Sequence, residues 1–232
     1  MRENFHLVVA IGLASIFAAG LASADALDGR AILSENCASC HNLSGPAPAT
    51  YDGVLGRKAP DLFYAGSKFK HSWLVDWLQN PSPIRQTGVM FLNHVTTDNG
   101  MDRIVVETVK PCPVKLSPET AEAVASHLMT LKDMSMKTGV VDMAKKFRKP
   151  KAYRLFTKQL PCVGCHTVKF GKRILGGVSG PDLTQAGKRL NPDWVYARIE
   201  NPQYWDPRTW MPRVTMSHRK RELLTLFIGS ME

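Results

Sequence analysis

The sequence predicts an all-α chain made of two tandem copies of one small helical domain. Three features carry that expectation. A run starting at residue 60 recurs at residue 181, each copy shows helix caps and stops without sustained strand alternation, and each copy follows the same cysteine–histidine pentad. The recurrence is gapless. Pro60-Asp61-Leu62 returns as Pro181-Asp182-Leu183. The same shift of 121 relates Ala65-Gly66 to Ala186-Gly187, Trp73 to Trp194, Asn80-Pro81 to Asn201-Pro202 and Met90 to Met211. Matches in one register and one order mark a duplicated domain of about 100 residues, a usual domain size. The expected division is a first domain over residues 25–137, a linker over 138–150 and a second domain over 151–232.

The helices can be justified in chain order. Residues 72–79 begin at the cap residue Ser72, and their counterpart 191–200 begins at Asn191 with Pro192 in the first helical position. Both stop ahead of an Asn-Pro pair, because proline disfavours helical backbone in the residue before it. Ser117-Pro118-Glu119 opens a third helix, with Ala121, Val124, Ala125 and Leu128 on one face. Its counterpart runs over 217–228, with Leu223, Leu224 and Phe227 as apolar positions. Gly- and Pro-rich segments at 45–48 and 176–181 separate the helices. So small a domain with this much loop buries too little surface of its own. A large, flat, apolar group would supply the missing core.

The pentads name that group. Cys37-Ala38-Ser39-Cys40-His41 and Cys162-Val163-Gly164-Cys165-His166 take four of the chain's five cysteines. Each has the spacing for covalent attachment of a c-type haem. Two thiols three positions apart each add to one vinyl of the porphyrin, and the adjacent histidine is carried under the ring as the proximal iron ligand. A redox dithiol does not require that histidine, and a zinc site of four thiolates leaves His41 and His166 without a purpose. Two covalently bound haem c groups are the expected cofactors.

The amino-terminal region fits an exported protein. Residues 7–21 are apolar and uncharged, follow Arg2, and lead into Ala22-Ser23-Ala24, a small-x-small cleavage pattern. This predicts a signal peptide over residues 1–24. The run is short for a membrane span of about 20 residues. Glu3 weakens the basic start, so an uncleaved anchor stays open. Either arrangement places the remainder in a periplasm, where free Cys-x-x-Cys pairs oxidise unless haem captures them.

On these residues the chain resembles the class I cytochrome c family in tandem dihaem form, over about residues 27–230. The resemblance is carried by the two pentads, Gly180-Pro181-Asp182-Leu183, the tryptophan helices ending at Asn-Pro, and Met211-Pro212. It implies two cytochrome c-like helical domains, each wrapped around one haem. It implies that His41 and His166 are iron ligands oriented by the carbonyls of Pro60 and Pro181, although Ala59 stands where the second half has Gly180. It implies Met90 and Met211 as sixth ligands. A thioether favours ferrous iron and raises the potential relative to two imidazoles. Phe91 stands where proline would follow Met90, and an insertion over about 95–116 comes next. His94 and Cys112 therefore remain alternative ligands of the first haem, while Cys112 also reads as a buried small hydrophobe or an intermolecular disulfide partner. The five tryptophans are expected to pack near the haems and exclude water.

Charge divides the halves. Residues 25–137 carry 11 Lys and Arg against 12 Asp and Glu, whereas residues 138–232 carry 18 against 7. The excess is dense in 145–149 and 218–221. A basic face steers encounter with an acidic redox partner and loses that advantage in salt. An anionic membrane surface or a membrane complex is a further possible partner, and nucleic acid is not expected. The function expected is electron transfer between redox partners in a respiratory or dehydrogenase chain, without catalytic residues. The alternative is a dihaem oxidoreductase acting on peroxide or a sulfur compound at the first haem.

Overall fold

The computed structural model describes residues 27–232, so the leader expected over residues 1–24 lies outside the described residues. The first half opens with α1 (Gly29–Cys37), whose N-cap Asp28 accepts from the Arg30 and Ala31 N–H groups. Two short helices follow, α2 (Tyr51–Leu55) and α3 (Ala65–Lys68), and then the tryptophan helix α4 (His71–Gln79). The last helix of the half, α5 (Pro118–Leu128), is capped by the Ser117 hydroxyl. The apolar face predicted for it is buried: Ala121, Val124 and Ala125 are 0 % exposed and Leu128 2 %. That face packs against α1 and α4.

The second half repeats the plan. α6 (Lys149–Arg154) continues as a π-turn over Leu155–Gln159 and delivers the second pentad. α7 (Ala186–Arg189), α8 (Pro192–Glu200) and α9 (His218–Gly229) correspond to α3, α4 and α5. Asn191 and Ser217 cap α8 and α9 with their side chains, as their residue types favour. Matching contacts recur in the two halves. The Gly66 N–H donates to Leu131 O at 2.9 Å, and the Gly187 N–H donates to Met231 O at 2.8 Å. The offset is 121 between the glycines and 100 between their acceptors, so the first half carries 21 extra residues between them.

The all-α expectation does not hold. β1 (Val95–Asp98) and β2 (Met101–Ile104) form an antiparallel hairpin inside the insertion of the first half. β3 (Val168–Phe170) and β4 (Arg173–Leu175) form another just after the second pentad. The fold is therefore mixed, a helical scaffold with two small antiparallel sheets. Two-residue turns account for both. Asn99 and Gly100 take φ of 51° and 74°, the paired left-handed conformation of an Asn-Gly type I′ turn. Gly171 takes φ of 60° with no positive φ at Lys172, as a type II′ turn requires. Each hairpin is too short for its alternation to stand out along the sequence.

The halves meet across a local two-fold. Phe69 and Leu190, equivalent in the repeat, form an antiparallel bridge. Around it the Lys70 N–H donates to Arg189 O at 2.9 Å and the Asn191 N–H donates to Lys68 O at 2.8 Å. One apolar core runs through both halves, taking in Leu33, Tyr64 and Leu128 together with Phe156, Trp194 and Phe227. Among the described residues no helix is long and apolar enough to cross a membrane.

Candidate functional site

Each pentad closes into a tight turn. The His41 N–H donates to Cys37 O at 2.9 Å and the His166 N–H to Cys162 O at 3.1 Å, so both histidines fold back beside their own cysteines. All five cysteines are free thiols. The imidazoles are then fixed from the other side of the sequence. His41 donates through Nδ1 to Pro60 O at 2.7 Å, and His166 does the same to Pro181 O at 2.8 Å. A carbonyl only accepts, so the proton resides on Nδ1 and the Nε2 lone pair is left for a metal. Burial lowers the affinity of His41 for a second proton, against the pull of the Pro60 carbonyl and of Asp61. Burial does the same for His166, against the Pro181 carbonyl and with help from Arg85, Arg198 and Arg189. Both shifts favour the neutral imidazole, the form that can ligate a metal.

The segments carrying the prolines hold equivalent places. Leu62 N–H donates to Asn42 O at 2.9 Å and Leu183 N–H to Thr167 O at 3.0 Å. In the second half Gly180 approaches so closely that a Cβ there would lie 2.7 Å from the His166 ring.

Met90 is 8 % exposed, and Met211 is half-buried in the equivalent loop. His94 turns its Nδ1 to the Thr108 hydroxyl at 2.8 Å and lays its ring against Gly88. Cys112 lies beside the first pentad. Burial pushes the Cys37 thiol up, and the neighbouring Cys112 and Cys40 thiols add to the effect. Trp194 and Trp205 are buried and Trp73 and Trp77 half-buried, whereas Trp210 is 52 % exposed. Among the described residues no three His, Cys, Asp or Glu side chains come together as a metal site. Porphyrin iron asks only for one imidazole on a face, because the ring supplies its equatorial ligands.

The sequence reading missed a charged junction between the pentads. Arg57, Lys68, Arg85, Arg189 and Arg198 act on one another there, opposed by Asp61, Asp182 and Asp206. Arg57 reaches Asp61 at 3.1 Å and Asp206 at 3.5 Å. The Lys68 amino group, its pKa lowered to about 7 by burial and by Arg198, Arg189 and Arg85, lies over the rings of Tyr64, Phe69 and Trp194, and Arg189 lies over Trp73. Lys68 and Arg189 occupy the same repeat position, a basic residue in both copies, which was the signal available in the sequence. Three buried side-chain nitrogens among the described residues lack a partner: Arg57 Nε, Trp194 Nε1 and Arg221 Nε. The first two belong to this junction.

Buried donors of this kind call for acceptors, and a surplus of cations calls for anions. The carboxylates of a haem, if one were bound at each pentad, would answer both needs. A recess of about 260 Å³ bordered by Cys40, Asn42, Arg57 and Asp61 opens beside the first pentad. The thiol pairs, the Nδ1-protonated histidines and the orphaned donors all fit covalent haem. The chain matches no family model, no curated protein and no solved structure.

Proposed function

We propose that this chain is an exported dihaem c-type cytochrome that carries electrons between redox partners in a respiratory or dehydrogenase chain. The observation that supports this best is the pair of equivalent histidine–proline bonds, each placed directly after two free thiols. Haem c, when bound, supplies one-electron exchange between ferric and ferrous iron. Cys37 with Cys40 and Cys162 with Cys165 would hold the two groups, while His41 and His166 would ligate them. Met90 and Met211 occupy equivalent loops and would complete the ligation. Protein ligands on both faces leave no room for a substrate, which favours a carrier over an oxidoreductase. Arg57, Arg85, Arg198 and the Trp194 indole would receive the carboxylates.

The basic runs support docking to an acidic partner. Lys145 bonds to Glu222 at 2.7 Å and ties the linker to α9. Arg221 turns inward to Glu200 and the Tyr196 hydroxyl. Lys146, Arg148, Lys149, Arg219 and Lys220 stay exposed in the two segments that the Lys145–Glu222 pair brings together. Positive charge so placed raises encounter rates at low salt.

Intact mass of the exported protein tests the proposal: an excess of two haems supports it, and no excess ends it. A spectroscopic redox titration should then show at least one His/Met site. Two bis-histidine sites would remove both methionine assignments. Loss of the thioether–iron band in Met90→Ala alone supports the carrier. A thiolate signature that disappears in Cys112→Ala would instead support the oxidoreductase.

A further inference from the structure

The strap that orients His166 is held from two directions. Inward, its residues bond to the second pentad: the Gly177 N–H donates to Val163 O at 2.8 Å, and the Gly180 N–H to Cys165 O at 2.7 Å. Outward, it bonds to the other half of the molecule. The Asp182 N–H donates to Ile84 O at 2.9 Å, and the Thr87 hydroxyl donates to Val178 O at 3.0 Å. Pro181, whose carbonyl fixes the imidazole, lies between these two outward bonds. Thr87 is 0 % exposed, so its hydroxyl is satisfied by a partner in the opposite half. Its loop is bonded to itself, the Gly88 N–H donating to Arg85 O at 3.1 Å and Arg85 Nη1 to Val89 O at 2.6 Å. Met90 follows directly.

The related contact across the two-fold is chemically different. There the loop of the second half reaches the first through side chains, with Asp206 on Arg57 and Arg208 Nε on Ala49 O at 2.7 Å. Only the strap of the second half is pinned by a buried hydroxyl from its neighbour.

We infer that Thr87 is a positioning residue for His166: its hydroxyl, reaching from the first half, fixes the strap whose Pro181 carbonyl orients the imidazole of the second. The inference rests on the proposed haem-binding function and deepens it. Groups that orient a ligating histidine tune the metal it holds, so a change at Thr87 is read at the second site although the residue belongs to the first half. The loop before Met90 and the strap behind His166 form one hydrogen-bonded body.

The test compares the intact exported protein with Thr87→Val, which keeps the shape and loses the hydroxyl, and with Thr87→Ser, which keeps the hydroxyl. Intact mass first counts the haems. Hyperfine-shifted NMR of the ferric protein then reads the ring protons of His41 and His166 separately, beside the two midpoint potentials. The expected result is a shift of the His166 signals and of one midpoint in Thr87→Val, with His41 unmoved and the serine variant restored to native values. His166 signals that stay in place while two haems are bound overturn the inference and leave the haem reading intact. Equal movement at both histidines overturns it as well, because that is general loosening. If Thr87→Val fails to accumulate, Thr87→Ala removes the same hydroxyl with less crowding and must move the same signals. A chain without haem in its native form refutes the underlying function and the positioning role with it.

Discussion

In the second half Gly180 touches the ring of its histidine, whereas the first half carries Ala59 at the same repeat position. The strap of the second half is sewn to its neighbour by a backbone bond and a buried hydroxyl. The first half relies on Arg57, which joins Asp61, next to Pro60, to Asp206 of the opposite loop. Both histidines nevertheless donate to their prolines at nearly the same distance, 2.7 and 2.8 Å. The divergence teaches that histidine orientation is the quantity both copies hold fixed. The means of holding it differ where each copy faces the other.

The comparison can be broken most directly at the pentads. Replacing Cys162 and Cys165 with alanine should remove one haem from the intact mass and unfold the second half, and Cys37 with Cys40 should do the same for the first. Retention of both haems in either variant would end the parallel. Next come the terminal helices, where Leu128→Ala in α5 and Leu224→Ala in α9 should each cost about 2–5 kcal/mol in denaturant unfolding. The residues are 2 % and 1 % exposed, so unequal losses would reveal unequal relaxation of the two sites.

The ion-pair clamp should come third. Arg57→Met leaves the Asp61 side chain, only 3 % exposed, without its cation, and a loss of about 3 kcal/mol is expected. A smaller effect is expected of Gly180→Ala, which makes the second half imitate the first. Its new Cβ would press on the His166 ring, costing about 1–3 kcal/mol of strain. Thermal unfolding checks this, and no loss would show that the two straps are interchangeable.

The smallest effect is a pH dependence at Asp133, which joins the halves through the Trp205 indole at 3.0 Å. Partial burial works to raise its carboxyl, but hydrogen bonds from Ser135, Tyr204 and Trp205 outweigh it and hold the group below its ordinary value. A carboxyl lowered on folding stabilises above its unfolded value and loses that contribution as pH falls through the lower folded one. Acid unfolding should therefore be less steep below about pH 4 in Asp133→Asn, and the variant should be the less stable of the two at neutral pH, where the native carboxylate makes its full contribution.

Much of the scaffold was legible because its signals are local. Ser117 and Asn191 announced helix starts with their own side chains, and the buried face of α5 followed from the spacing of Ala121, Val124, Ala125 and Leu128. The pentads fixed which residues are chemically paired, since two thiols and a histidine adjacent in sequence are adjacent in space. Pro60 and Pro181 were placed as histidine partners through the repeat and the family resemblance. The hairpins were not seen, because three or four residues per strand give too few alternations to outweigh a helical background. Their turns at Asn99-Gly100 and Gly171-Lys172 were the better clue.

What the sequence determined alone was composition by duplication: two copies, two pentads, and the order of helices within each. What only the tertiary structure decided was how the copies face each other. Lys68, Arg85, Arg189 and Arg198 are unremarkable basic residues along the chain, and only the two-fold gathers them beside Arg57 and Trp194. The reason is physical. Covalent spacing and capping act over a few residues and are written where they act, whereas burial of charge and hydrogen bonding across the two-fold depend on surfaces that exist only once both halves have folded.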